Sequence, residues 1–130
     1  MKHDDPVNHP AHYTRGGYET IEFIEQYFDD SYIGGQVVKY VSRAGHKDPA
    51  LYRQDIEKAL WYARRMAERP VARWHMQDIG REPDTFEADL DLFVSAKALP
   101  PAIRRVISTA FYGYWDRTVE ALVAHRDRTD

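Results

Sequence analysis

Between Tyr52 and Met66 the apolar residues Tyr52, Ile56, Ala59, Leu60, Ala63 and Met66 fall three or four apart without interruption. That spacing puts them on one face of an α-helix and on both faces of a strand, so the segment is readable only as a helix. The same period recurs elsewhere, and no convincing run of period two exists along the chain. A chain built this way folds as an all-α protein.

Five helices are expected. The first runs from Tyr18 to about Asp29, with Ile21, Ile24 and Phe28 inward and Glu19, Glu22 and Glu25 between them. Asp30 or Ser31 caps a second, whose apolar stripe is Ile33, Val37, Val41 and Ala44, with Gly45 placed for a left-handed C-terminal cap. Asp48-Pro49 supplies an N-cap followed by proline at the first helical position, opening a third helix that lasts to about Glu68 and is stopped by Pro70. Residues 70–83 read as a connector pinned by Trp74, Met76 and Ile79. Asp84 and Glu87 have capping-box spacing and open a short helix with Phe86, Leu90 and Phe93 inward. Pro100-Pro101 starts the last helix, which carries Ile103, Val106, Ile107, Ala110 and Phe111 and continues through Trp115, Val119 and Leu122 past a kink at Gly113. Residues 1–17, rich in turn formers, form an irregular N-terminal arm.

The expected fold is a compact bundle of about five helices in one domain spanning 1–130, a size at which a chain buries roughly two-thirds of its unfolded surface. Hydrophobic residues at 43 % and charged residues at 30 % fit a globular chain, and no cysteine is present to form a disulfide or ligate zinc. No apolar run approaches the ~20 residues that span a bilayer, so no membrane association and a cytoplasmic location are expected. Phe111, Tyr112, Tyr114 and Trp115 put aromatic rings on several sides of the last helix, more than a small domain easily buries, which predicts a homo-oligomer.

The charge is unevenly spread. Residues 1–35 are net −5, residues 36–73 net +5 and residues 74–130 net −3. The basic island either binds phosphates or pairs with its acidic flanks. Within it Lys39 and Arg43 stand four apart on one helical face, with His46 and Lys47 towards its end. Like charges at that spacing repel by a few tenths of a kcal/mol unless an anion lies over them, and a guanidinium fork with an ammonium suits phosphate. The competing reading pairs them with Glu22, Glu25 or Asp55.

In the arm, Asn8, His9, His12 and Tyr13 concentrate amide, imidazole and phenol groups where no packing need explains them. An Asx turn with solvent-facing histidines is the plain alternative. Two histidines three apart are too few ligands for a metal site. Glu19, Glu22 and Glu25 have the spacing by which all-α nucleoside triphosphate pyrophosphatases hold Mg²⁺, but the second acidic pair such enzymes need is broken at Lys58 after Asp55 and Glu57. No Walker loop, GxGxxG, or serine or cysteine hydrolase signature occurs.

Three ordered motifs carry a resemblance: Asn8-His9-Pro10-Ala11-His12-Tyr13-Thr14 with Gly16-Gly17, Glu19, Ile21 and Phe23-Ile24-Glu25; Gly34 with Val37-Val38-Lys39-Tyr40-Val41, Arg43-Ala44-Gly45 and Lys47; and Asp55-Ile56, Lys58-Ala59-Leu60-Trp61-Tyr62. Over about residues 7–67 the chain resembles a phage and prophage family of unknown function often labelled phage nucleotide kinase-like or SaV-like. The resemblance implies a nucleotide-binding core at 7–67, a helical extension at 68–130, a bacterial host's cytoplasm, and a Walker-loop-free nucleoside monophosphate kinase. Under that reading His12, Lys39 and Arg43 are catalytic. Asn8, His9, Tyr13, Tyr40, His46 and Lys47 bind substrate, and Glu22 or Glu25 holds Mg²⁺ through water. The same residues would serve a nucleotide-sequestering protein without turnover. Duplex DNA is not expected, because the acidic flanks screen the basic island and no recognised DNA-binding motif is visible.

Overall fold

The computed structural model describes residues 18–44, 48–69 and 83–128. Six α-helices and no strand occur among them: α1 (Thr20–Tyr27), α2 (Tyr32–Arg43), α3 (Tyr52–Ala67), α4 (Pro83–Lys97), α5 (Pro101–Phe111) and α6 (Trp115–Arg128). The all-α expectation holds. The expected Gly45 cap and the connector at 70–82 lie outside the described residues.

Local chemistry starts the first three helices. Glu19 N–H donates to Glu22 Oε1 at 3.1 Å ahead of α1, and Gly34 N–H donates to Ser31 Oγ at 3.0 Å at the start of α2. Asp48 caps as expected, its Oδ1 accepting from Ala50 N–H at 3.0 Å, but the turn it opens, Pro49–Leu51, is a 3₁₀ turn leading into α3. Asp84 lies inside α4 rather than ahead of it. Glu87 accepts instead from Arg104 on α5 at 2.7 Å and from the Tyr112 hydroxyl at 2.7 Å.

The expected long last helix is two helices. Gly113 sits at φ 81°, its N–H donating to Ala110 O and the next N–H, of Tyr114, reaching back to Thr109 O. This pair of bonds closes a Schellman cap, which needs a left-handed residue. The same device ends α4, where Ala98 N–H donates to Ser95 O and Leu99 N–H to Val94 O, with Ala98 itself at φ 55°. Reversal at Gly113 turns Phe111 and Trp115 inward, to 0 % and 1 % exposure, while Tyr112 is tied to Glu87. Of the four aromatics behind the expected self-association, Tyr114 alone is exposed.

Aromatic packing joins the N-terminal helices to the extension. Phe23 of α1 stacks on Phe93 of α4 at 4.5 Å, and Phe86 of α4 stacks on Phe111 of α5 at 3.7 Å. Tyr27 meets both Phe86 and Phe111 edge-on, and its hydroxyl donates to Asp89. On the other side α3 packs between α2 and α6, where Tyr52 and His125 share a 2.7 Å hydrogen bond. Among the described residues no helix is long and apolar enough to cross a membrane.

Candidate functional site

Packing α2 against α3 gathers the cations of the basic island around one ring. The Arg43 guanidinium lies 4.8 Å from the Tyr40 ring centroid, Lys39 Nζ 5.4 Å and Lys58 Nζ 5.5 Å, all within cation–π range. Tyr62 lies nearly parallel to Tyr40, 6.1 Å away at 15°. Trp61 stands edge-on to Tyr62 at 5.0 Å, keeps 56 % of its surface exposed, and carries the Arg65 guanidinium 5.3 Å from its ring. Tyr32, at the start of α2, neighbours Tyr62. Desolvation and then the neighbouring Tyr32 and Tyr40 hold the Tyr62 hydroxyl above its ordinary pKa, so the phenol stays neutral at physiological pH.

A carboxylate enters this cluster. Asp55, buried on α3, accepts from Arg43 Nη2 at 3.5 Å. The pair holds the guanidinium beside the Tyr40 ring, with the two side chains only 19 % and 7 % exposed. Neither Lys39 nor Lys58 makes an ion pair with a carboxylate among the described residues, which leaves the cluster with excess positive charge beside exposed aromatic surface. Of the three carboxylates that could have paired with the basic face, the fold selects Asp55.

Of the residues expected to form a site, Lys39, Tyr40 and Arg43 converge. Asn8, His9, His12, Tyr13, His46 and Lys47 lie outside the described residues, as does the expected docking of the arm against α2. Glu22 and Glu25 are exposed on α1, and Glu22 is engaged with the Glu19 N–H. No three histidine, aspartate or glutamate side chains among the described residues are grouped so that they could hold a metal ion. Lys58, Trp61, Tyr62, Arg65 and Tyr32 were not foreseen as site members. Their signal was present: Lys58, Tyr62 and Arg65 recur four and three apart on α3, as Lys39 and Arg43 do on α2.

No curated protein and no solved structure matches this chain. Residues 7–64, which take in α1, α2 and all but the end of α3, are similar to a family described as a protein of unknown function, DUF3310, so the cation–aromatic cluster from Lys39 to Tyr62 lies within the matched span.

Proposed function

We propose that this face of α2 and α3 binds a nucleotide, with Lys39, Arg43 and Lys58 on its phosphates and the exposed ring of Trp61 stacked on its base. The observation that carries the reading is the convergence of three cations from two helices on the Tyr40 ring, beside open aromatic surface. Phosphates answer the excess charge, and a purine or pyrimidine face suits an exposed indole. Asn8, His9, Tyr13, His46 and Lys47 complete the ligand contacts in this proposal.

Phosphoryl transfer from a nucleoside triphosphate to a nucleoside monophosphate is the activity that the motif resemblance favours. Positioning and charge stabilisation by Lys39 and Arg43 would supply most of its catalysis, with His12 hydrogen-bonded to the reacting groups. In this proposal Mg²⁺ rides on the nucleotide's phosphates, with the exposed Glu22 or Glu25 reaching it through water. A second reading, sequestration without turnover, is supported by Asp55 being engaged with Arg43.

Titration of a nucleotide panel, followed calorimetrically and by Trp61 fluorescence, tests the binding. Arg43→Ala is expected to weaken it by about 1.5–3 kcal/mol, the range for charged hydrogen bonds. Lys58→Gln, at an exposed position, gives a loss in the same direction without leaving Asp55 unpaired. No nucleotide binding, or binding indifferent to both variants, refutes the proposal. A chromatographic transfer assay with Mg²⁺ separates the two readings. In a kinase His12→Ala lowers turnover roughly 100-fold with affinity nearly intact, whereas tight binding without transfer leaves sequestration.

A further inference from the structure

A second basic feature lies outside the span shared with the family, on the hairpin of α5 and α6. A groove of about 260 Å³ opens there, walled by Arg105 of α5 and by Arg117 and Arg128 of α6. Ala121 and Ala124 line it between the arginines, and Glu120 is its one acidic lining residue among the described residues. The positions on α6 follow the helical repeat, so residues 117, 120, 121, 124 and 128 share one face. Alanine there keeps that face low, and the long guanidinium side chains rise around it.

Some arginines of this fold are matched to carboxylates. Arg104 meets Glu87 at 2.7 Å and Asp91 at 2.8 Å, and Arg53 meets Glu57 at 3.9 Å. Arg105, Arg117 and Arg128 make no such pair among the described residues. Arg117 lies instead 5.2 Å from the ring of exposed Tyr114. Arginines from two helices line this one depression, and their forked donors match phosphate oxygens. The volume is below the roughly 300 Å³ at which pockets for organic ligands begin, which favours a small anion.

We propose that this groove is a second anion site, which takes a compact polyphosphate such as pyrophosphate between Arg105, Arg117 and Arg128. It is independent of the α2–α3 face, and either site can exist without the other.

The test is calorimetric titration of the full chain with sodium pyrophosphate at low ionic strength, in a Lys39→Gln/Lys58→Gln background that weakens the first site. Binding is expected to fall by about tenfold for each of Arg105→Gln and Arg117→Gln, and to fall further with added salt. Ala124→Glu, which places a carboxylate within the groove, is expected to abolish it. A site-specific readout comes from His125, whose pKa is held down first by burial and then by the charge of Arg128. Pyrophosphate in the groove offsets Arg128, so the imidazole resonance of His125 titrates at higher pH when the anion is bound. No pyrophosphate binding in this background refutes the proposal. So does binding that survives Arg105→Gln, Arg117→Gln and Ala124→Glu unchanged. Nucleotide binding at the α2–α3 face, read by its loss in Lys58→Gln, is expected to be unchanged by Arg105→Gln or Arg117→Gln, so failure here is distinguishable from failure at the first site.

Discussion

Gly34→Ala and Gly35→Ala are neighbouring substitutions in one helix, yet they are expected to change stability by very different amounts. An alanine in place of a helical glycine ordinarily stabilises by about 0.5–1 kcal/mol, because it restricts the unfolded chain. At Gly34 the added Cβ would lie 2.8 Å from Ser31 Oγ and 2.9 Å from Phe28 Cδ1. Ser31 Oγ cannot swing aside without giving up its bond from Gly34 N–H, at a cost of about 1 kcal/mol for a lost cap. Phe28 is 1 % exposed and wedged among Phe23 and Phe111, and displacing such a ring costs about 1–3 kcal/mol. The net expectation for Gly34→Ala is a destabilisation of about 1–3 kcal/mol. At Gly35 the new Cβ meets only Ile24 Cγ2, at 3.1 Å, the end of a partly buried side chain that can shift, so the change is expected to fall within about 0.5 kcal/mol of neutral. Urea unfolding of both variants measures the difference as a shift in midpoint at constant slope. A Ser31→Ala/Gly34→Ala cycle should recover about 1 kcal/mol, the part of the penalty that passes through the cap. Equal stabilities for the two variants, or a Gly34→Ala protein more stable than the wild type, would refute the close approach at the start of α2.

Two further expectations concern pH. Burial and then Arg128 lower the pKa of His125 below its ordinary value near 6.5, so the unfolded chain binds this proton more readily than the folded one. Stability from this group is complete above about pH 6.5 and declines as pH falls towards the folded value; His125→Gln should flatten that acid limb in denaturant titrations between pH 5 and 7, and an unchanged limb would contradict the assignment. Tyr112 behaves in the opposite sense, pushed up to about 12 by burial and then by its bond to Glu87. Its stabilising contribution is complete below the ordinary tyrosine value near 10 and is lost as pH rises from there to about 12, so Tyr112→Phe should reduce the alkaline decline in stability, and a decline unchanged in the variant would refute the assignment.

Much of this protein was legible one helical turn at a time. The period from Tyr52 to Met66, the Ser31 and Asp48 caps and the inward placement of Phe86, Leu90 and Phe93 all arise from contacts within about four residues, which is the range over which spacing carries meaning. Lys39 and Arg43 were visible as a pair for the same reason. A kink at Gly113 was legible but a complete break there was not, because Phe111 and Trp115 stand four apart and continue the apolar period across it. Only the reversal of the chain there decides that both rings face the core of one molecule. Glu87 likewise has capping spacing from Asp84, yet its carboxylate is taken by Arg104 and Tyr112, 17 and 25 residues away. The choice of Asp55 over Glu22 or Glu25 as the partner of Arg43, and the addition of Lys58 and Tyr62 to the Tyr40 ring, depend on how α3 is rotated against α2. Helix rotation is set by which apolar stripes meet across the whole core, so the residues that share a face can be read from sequence, while the residues that meet across two faces are decided by tertiary packing.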